Sequence, residues 1–403
     1  MILLKLGIIL AVIVVLLCLK RPLYLAITVG MVATALLFAI DWRVCLQLVW
    51  KGLSNYDTIV VVSGLYLITY LQRMLEKRQQ LRKAQQDLDD VFHNRRINAS
   101  LAPIFIGLLP SAAAVNICGE IVQEACKDDL KTEEKAFVTS YYRHIPESFL
   151  PTYPSVILMA QLSGVAMASL VLGMVPLVIV LYLLGYVFYL RKVPRRTAGA
   201  PPVQSGGGKA WLRLLQHLWT LFLVVLLILL FNAPIYIALG VAIVCAVFVY
   251  RFRWQELRPM FKSAFEFQML LNSALVMVFR EFIQYSGAIS QLPDILGHLP
   301  IPTAVIFAII YFIGALMIGN NAIVAMITAM AFSVIPAGGM PLAVLLMAFT
   351  YAAMQVSPTH YCLFVAIDYF KTDFGKLIRC TVLPILCYMG VTLLYYGLLT
   401  LMF

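Results

Sequence analysis

Four short polar stretches interrupt the hydrophobic segments of this chain, at 111–116, 150–153, 319–321 and 357–360. Their residue types suit ligand binding inside a membrane, because hydroxyl and amide oxygens can coordinate Na⁺ and the free amides at a helix start can hold a carboxylate or oxyanion. The candidate substrate ligands are Ser111, Asn116, Thr152, Tyr153, Asn320, Asn321, Ser357, Thr359 and His360. The candidate coupling-ion ligands are Ser111, Asn116, Asn320 and Thr359.

Each of these side chains has a second interpretation. Ser, Thr and Asn also hydrogen-bond one membrane helix to another, or satisfy backbone groups where a helix is broken. His360 can carry a coupling proton or contact an anion, since histidine titrates near neutral pH, but it can equally cap the broken helix in its neutral form. The sequence leaves both interpretations open for each residue.

A second group of ionisable residues lies near 143–147. His144 and Glu147 have the i, i+3 spacing that places both on one helix face, next to Arg143. A metal pair would need a third ligand that the neighbouring sequence does not offer. A local salt-bridge cluster is therefore favoured, and no metal site is predicted.

Other charged residues are expected at the membrane boundaries. Glu120 and Glu124 are placed at the cytoplasmic rim, and Asp368 near the cytoplasmic end of its segment. Arg73 and Arg280 are expected to snorkel or to anchor surface helices rather than to bind substrate.

The composition requires that these residues lie in an integral membrane protein. Hydrophobic residues make up 62% of the 403 positions, charged residues only 12%, and the mean hydropathy is +0.92. The apolar stretch after Lys5 lacks a small-residue cleavage pattern and is interpreted as a retained span. The eight cysteines form no CxxC pair and are expected to be buried free thiols.

The net charge of +11 fits a membrane topology better than nucleic-acid binding. When the basic segment 76–97 is placed in the cytoplasm, nearly all of the 30 Lys and Arg fall in cytoplasmic loops, as the positive-inside rule requires. Both chain termini then lie outside, and the predicted location is the inner membrane of a prokaryote. The spans near 57–75 and 264–285 cross the membrane in opposite directions.

The chain also resembles itself at a shift of 207 positions (358 − 151). Phe105-Ile106-Gly107 falls on Phe312-Ile313-Gly314, Pro151-Thr152 on Pro358-Thr359, and Arg73 on Arg280. Together with the opposite directions of the paired spans, this shift predicts an inverted-topology repeat, an arrangement typical of secondary transporters.

Each half contains two kinds of broken element. Segments 99–125 and 303–335 are apolar but interrupted by glycine and proline, and we interpret both as re-entrant helical hairpins. The next element is broken at Pro151 and Pro154 in one half and at Pro358 in the other. The charged segments 76–97 and 126–145 are expected along the cytoplasmic surface.

These elements predict five regions. Scaffold helices occupy 1–53 in the first repeat and 211–262 in the second. The transport parts, each with a hairpin and a broken helix, occupy 54–190 and 263–403. The Pro/Gly/Ser-rich stretch 191–210 is a cytoplasmic linker.

Three segments carry a family resemblance. Their residues are Ile106-Gly107-Leu108-Leu109-Pro110; Tyr142-Arg143-His144 with Glu147, Pro151, Tyr153 and Pro154; and Ser357-Pro358-Thr359-His360-Tyr361-Cys362-Leu363 with Tyr369-Phe370. Together they resemble the DUF401 family of polytopic membrane proteins, which is similar to the ion transporter superfamily of gluconate, C4-dicarboxylate, citrate and divalent-anion carriers. One departure is Leu109-Pro110-Ser111-Ala112-Ala113, where the family pattern has Met-Pro-Gly-Gly, so the close backbone approach that two glycines allow is lost.

The sequence thus predicts an all-α polytopic membrane protein with inverted repeats, re-entrant hairpins and broken helices. The expected function is secondary transport of a small organic anion, a carboxylate by preference, coupled to Na⁺ or H⁺. The resemblance implies an elevator mechanism and a homodimer in the lipid bilayer. No nucleotide-binding motif, cofactor site or nucleic-acid partner is expected.

Three alternatives are weaker. A cation/proton antiporter requires carboxylates at mid-membrane depth, and Asp368 and Glu120 are poorly placed for that role. A membrane-embedded enzyme requires His144, Glu147 and His360 to meet. A channel does not need the duplicated broken helices that alternating access uses.

Overall fold

The computed structural model describes residues 2–19, 21–80, 83–84, 94–108, 114–195, 207–287, 300–358 and 360–402. These residues form helices and connecting turns, and no strand occurs among them. The first half contains α1 (Ile2–Cys18), α2 (Leu23–Leu37), α3 (Trp42–Ser54), α4 (Tyr56–Lys77), α5 (Arg95–Ile106), α6 (Ala114–Cys126), α7 (Thr132–His144), α8 (Pro154–Ser163) and α9 (Met167–Phe188). The second half contains α10 (Gly207–Phe231), α11 (Ile235–Val249), α12 (Trp254–Ser263), α13 (Phe267–Tyr285), α14 (Thr303–Ile318), α15 (Asn320–Val334), α16 (Gly339–Met354), α17 (Tyr361–Phe370) and α18 (Phe374–Met402).

Apolar helices identify the chain as an integral membrane protein. Among the described residues, four helical stretches are long and apolar enough to cross a membrane: Tyr56–Lys77, Met167–Phe188, Pro336–Met354 and Phe374–Met402. The outer surface of α18 is also apolar, since Leu394, Leu398 and Leu401 are 77%, 53% and 87% exposed. Large exposed leucines on successive turns are stable facing lipid and unfavourable facing water. This confirms the membrane class that the composition predicts.

The helix boundaries of the two halves correspond over their C-terminal parts. α8 and α17 both begin and end 207 positions apart (361 − 154 and 370 − 163), and the starts of α9 and α18 have the same separation (374 − 167). Both α8 and α17 end at a left-handed residue, Gly164 with φ of 71° and Lys371 with φ of 53°. The two halves therefore break and restart their helices at matching positions.

Two ion pairs hold α4 and α13 side by side in antiparallel orientation. Arg73 near the end of α4 pairs with Glu266 at the start of α13 (3.2 Å), and Arg280 near the end of α13 pairs with Asp57 at the start of α4 (3.5 Å). Reciprocal contacts between opposite ends require that the helices run in opposite directions. The two arginines thus join the two halves of the chain.

Two further ion pairs connect this helix pair to short amphipathic helices. Lys51 of α3 lies 2.7 Å from Glu281 of α13, and Arg78 after α4 lies 2.8 Å from Glu256 of α12. The α3 contact is close: a Cβ on Gly52 would lie 2.7 Å from the Cα of Val278. Glycine at this position lets the two helix backbones approach each other.

The prediction that 126–145 lies on the cytoplasmic surface is wrong for most of α7. Residues 135–144 are all buried, although they include a lysine, an arginine and a histidine. Burial is possible because the polar groups find partners: the hydroxyls of Tyr141 and Tyr142 donate to the carbonyls of Leu181 and Tyr182 at 2.9 and 3.0 Å. The ring of a buried tyrosine packs like a large apolar side chain, and the hydrogen bond satisfies its hydroxyl group.

The Arg78–Glu256 pair should make stability pH-dependent. The bidentate hydrogen bonds from Arg78 hold the pKa of Glu256 at about 2, below its ordinary value of 4.5. The charged form is therefore favoured by folding, so this stabilisation is complete above pH 4.5 and is lost as the pH falls towards 2. Glu256→Gln should lower the melting temperature at pH 7, and the gap to wild type should close in melts at progressively lower pH. In an Arg78→Gln background the same substitution should leave a smaller pH-dependent gap, because only the backbone N–H of Arg253 then still hydrogen-bonds the carboxylate. An unchanged gap there would contradict the assignment.

Candidate functional site

The end of α5 lies directly against the turn that follows α7. A Cβ on Gly107 would lie 2.0 Å from the carbonyl oxygen of Arg143, so only glycine fits there. The hydroxyl of Tyr153 donates a hydrogen bond to the carbonyl of Gly107, and the hydroxyl of Thr152 lies 3.5 Å from the carbonyl oxygen of Leu108. The broken element at 150–153 thus satisfies backbone groups that the end of α5 leaves free.

The equivalent break in the second half has similar contacts. The hydroxyl of Ser357 donates to the carbonyl of Leu316 near the end of α14 at 2.9 Å. The side-chain amide of Asn320, the first residue of α15, lies 2.9 Å from the sulfur of Met354 at the end of α16. Gly319 joins α14 to α15 with φ of 86°, in the region that favours glycine. The predicted break of 303–335 at this glycine is therefore present.

Two amide side chains beside this break have buried atoms without hydrogen-bond partners among the described residues. Gln355 is 1% exposed, and within the described part of the chain neither its nitrogen nor its oxygen has a partner. The side-chain oxygen of Asn320 is also buried without one. A buried unsatisfied polar group costs about 1–3 kcal/mol, so these residues lower the free energy of unfolding. Gln355 is not among the candidate ligands selected from the sequence. Its position just before the break at Ser357 could have indicated it.

The two halves of the chain meet at a buried polar centre formed by Arg143, His144, Glu147 and His360. Nη1 of Arg143 lies 2.9 Å from Oε1 of Glu147, so the predicted salt bridge is present. Nε2 of His144 lies 2.9 Å from Nε2 of His360 and 3.9 Å from Oε1 of Glu147. His144 is fully buried and Arg143 is 2% exposed. A buried charge is tolerated only when paired and hydrogen-bonded, and this arrangement meets that condition for Arg143.

The helices that follow the two breaks pack across the halves. α8 of the first half packs on α15 of the second, and α17 of the second half packs on α6 and α7 of the first. Asn321 of α15 and Pro154 of α8 line a cavity of about 520 Å³, which also contacts Asn272 of α13. The side-chain oxygen of Asn272 is buried and unpartnered within the described residues. This cavity offers polar groups next to the starts of two helices.

Three helices of this region begin without a side-chain cap. The residues preceding α8, α15 and α17 are Tyr153, Gly319 and His360, and none caps its helix by a side-chain hydrogen bond. The first amides of a helix have no intrahelical partner, and together with the helix dipole they favour a negative group. Among the described residues, the site thus combines helix starts without a side-chain cap with buried side-chain oxygens.

The structure places the predicted site residues as follows. Thr152 and Tyr153 contact the end of α5, Asn320 and Ser357 contact the second break, Asn321 lines the cavity, and His360 contacts His144. Two predicted ligands, Ser111 and Thr359, lie outside the described residues, as does the tip 109–113 with its departure from the family pattern. The backbone of Asn116 belongs to α6, and its side chain is outside the described part.

The two carboxylates considered for an antiporter, Glu120 and Asp368, are exposed in the structure, as is Glu124. By contrast, the requirement for a membrane-embedded enzyme is partly met, because His144 and His360 touch and Glu147 lies beside them.

Fold and site together define a polytopic α-helical membrane protein whose buried polar centre is assembled from paired broken helices. The chain belongs to the DUF401 family, described as a protein of unknown function, whose profile matches residues 3–400. The three segments that carry the resemblance meet in space, at Gly107, at Arg143 to Tyr153, and at His360.

Comparison with solved structures shows where this fold occurs. The chain is similar to the YdaH transporter of Alcanivorax borkumensis, whose crystal structure is described as having an unusual topology. The two share 13% sequence identity over 90% of each chain, with a TM-score of 0.64. At this identity the similarity establishes the fold. The chain has no match among curated protein sequences.

Gly107→Ala should strongly destabilise the protein. The added methyl group would overlap the carbonyl of Arg143, and overpacking of a rigid contact costs about 1–3 kcal/mol or more. Gly240→Ala in α11 is the matched control, because a Cβ there meets no atom within 4 Å. Thermal melts in detergent should show a lowered melting temperature for Gly107→Ala and an unchanged or slightly raised one for Gly240→Ala. Equal melting temperatures for the two variants would mean that α5 and α7 are not in tight contact at Gly107.

Proposed function

We propose that this protein is a secondary active transporter of a small organic anion, most simply a carboxylate, coupled to Na⁺ or H⁺. The observation that carries the proposal is a set of buried amide atoms without partners among the described residues. They are both polar atoms of Gln355 and the side-chain oxygen of Asn320, located where the helices of the second half break. Groups that lower stability in this way are expected where a ligand supplies the missing partners.

The anion would interact with the free amides at the starts of α8, α15 and α17. These helices lack side-chain caps and begin at breaks that pack across the two halves. Side-chain oxygens of Asn320 and Gln355 would contribute to a Na⁺ site, in the same manner as the predicted ligands Ser111, Asn116 and Thr359. Thr152, Tyr153, Asn321, Ser357 and His360 would complete the substrate site.

Alternating access would use the two halves as inverted repeats. Three observations support this: α4 and α13 run antiparallel, helix boundaries recur at a shift of 207, and each broken helix packs on the opposite half. In the proposed elevator, 1–53 and 211–262 are the scaffold of a homodimer and the broken elements move. The similar Alcanivorax protein is described as a transporter, which adds support for this class.

A membrane-embedded enzyme is the second candidate, because His144 and His360 are in contact beside Glu147. It is less well supported, since Glu147 is engaged by Arg143 at 2.9 Å and His144 is fully buried. A base that a substrate cannot reach does not act as a catalyst.

A ligand panel tests the proposal. Purified protein would be melted against mono-, di- and tricarboxylates and inorganic oxyanions, with and without Na⁺, at two pH values. A ligand at about 100 times its dissociation constant should stabilise by about 2.7 kcal/mol. We expect one anion class to raise the melting temperature only with Na⁺ or at the lower pH, and the same anion to enter proteoliposomes under that gradient. Stabilisation by cations alone would favour the antiporter instead.

Gln355→Leu separates function from stability. Leucine removes a buried group that lacks partners, so the free energy of unfolding should be unchanged or rise by about 1 kcal/mol or more, while anion-dependent stabilisation and uptake are lost. Gln47→Leu on the exposed face of α3 is the control and should retain uptake. A Gln355→Leu protein that transports like wild type would remove Gln355 from the site.

A further inference from the structure

The contact between His144 and His360 includes a third potential metal ligand. Cys362 lies in the first turn of α17, two positions after His360. The ligand atoms of His144, His360 and Cys362 all lie within 4.8 Å of one another. Sequence reasoning found no third ligand for His144 because the other two residues are more than 200 positions away along the chain.

The orientation of His144 leaves one nitrogen available as a ligand. Its Nδ1 lies 2.5 Å from the carbonyl oxygen of Ser140 in the preceding turn. A carbonyl can only accept, so Nδ1 carries the hydrogen and, in a neutral ring, Nε2 presents its lone pair towards His360. A histidine held through one nitrogen by a backbone carbonyl is the usual arrangement of a metal-binding histidine.

The distances are close to those of a tetrahedral site. Zn–N bonds of about 2.0–2.1 Å place two coordinated nitrogens about 3.3 Å apart, and a Zn–S bond of about 2.3 Å places sulfur about 3.6 Å from each nitrogen. The observed nitrogen separation is 2.9 Å, and the sulfur lies within 4.8 Å. Binding would require the two rings to separate by a few tenths of an ångström and the thiol to approach by about 1 Å.

The surrounding charges permit a cation at this point. Arg143 is neutralised by Glu147 at 2.9 Å, so the cluster is not dominated by an unpaired positive charge. Oε1 of Glu147 is itself 3.9 Å from Nε2 of His144 and is the nearest candidate for a fourth ligand. Two imidazoles and a thiolate prefer Zn²⁺ or another soft transition metal over Na⁺, Mg²⁺ or Ca²⁺.

We propose that His144, His360 and Cys362 form a binding site for a transition-metal cation, with Zn²⁺ as the best match to the donor set. The ion would join the end of α7 in the first half to the start of α17 in the second. Zn²⁺ binding would release the thiol proton of Cys362 and leave both histidines neutral. The site shares His360 with the proposed substrate site, but metal binding can be measured without transport and stands or falls separately from it.

Metal analysis of the full-length protein, purified with a tag free of histidine, tests this site. After chelation and desalting, Zn²⁺ should rebind at one ion per chain and raise the melting temperature. Co²⁺ in its place should give the near-ultraviolet charge-transfer absorption of a thiolate ligand. Cys362→Ser should abolish that absorption. His360→Ala removes a ligand and should weaken Zn²⁺ binding by more than the roughly 10–100-fold seen when supporting residues of a metal site are removed.

The control is Cys387→Ser in α18, which should behave like wild type. Gel filtration would establish that each variant is folded, and the Co²⁺ spectrum of the wild-type protein gives a result even if a variant fails to fold. The proposal would be overturned if Zn²⁺ does not rebind, or if the Co²⁺ spectrum lacks the thiolate band. It would also be overturned if the Cys362 and His360 variants bind Zn²⁺ as tightly as the wild type. Each result would leave a hydrogen-bonded histidine pair.

Discussion

The structure depends on the burial of the polar helix α7. Its residues 135–144 include a lysine, an arginine, a histidine and two tyrosines, and all are shielded from solvent. Such a helix is stable inside the protein only if its charged groups have partners, since an unpaired charge there costs several kcal/mol. Lys135 donates to Gln123, Arg143 binds Glu147, and the tyrosine hydroxyls bind backbone carbonyls of α9. These fixed partners leave α7 only one position among its neighbours.

The position of α7 in turn determines the geometry of both breaks. Its last turn presents the Arg143 carbonyl to Gly107 and the His144 ring to His360. Tyr351 of α16 donates to the carbonyl of Tyr141 at 3.1 Å, which ties the second half to the same helix. The centre is therefore rigid where it joins the halves. By contrast, Gln355 and the oxygen of Asn320 at the second break have no partner among the described residues.

This contrast is what the proposed transport function requires. A site that binds and releases a ligand needs polar groups that contact the ligand in one state of the protein. In the other state the protein must remain folded while those groups lack partners. Fully satisfied groups hold the architecture, and unsatisfied ones supply binding energy when a ligand arrives. The reciprocal Arg73–Glu266 and Arg280–Asp57 pairs are partly exposed, so they orient α4 against α13 while contributing little to stability.

Local features of the sequence were sufficient to predict the class of fold. Apolar runs indicate membrane helices, and the breaks at Gly319, Pro154 and Pro358 follow from glycine and proline chemistry, which acts on the nearest few residues. Long-range packing decided the rest. The burial of α7 contradicts its polar composition, because its hydrogen-bond partners lie on other helices. The contact between His144 and His360, and the unsatisfied amide of Gln355, depend on how segments more than 200 positions apart pack together, and no periodicity within one segment carries that information.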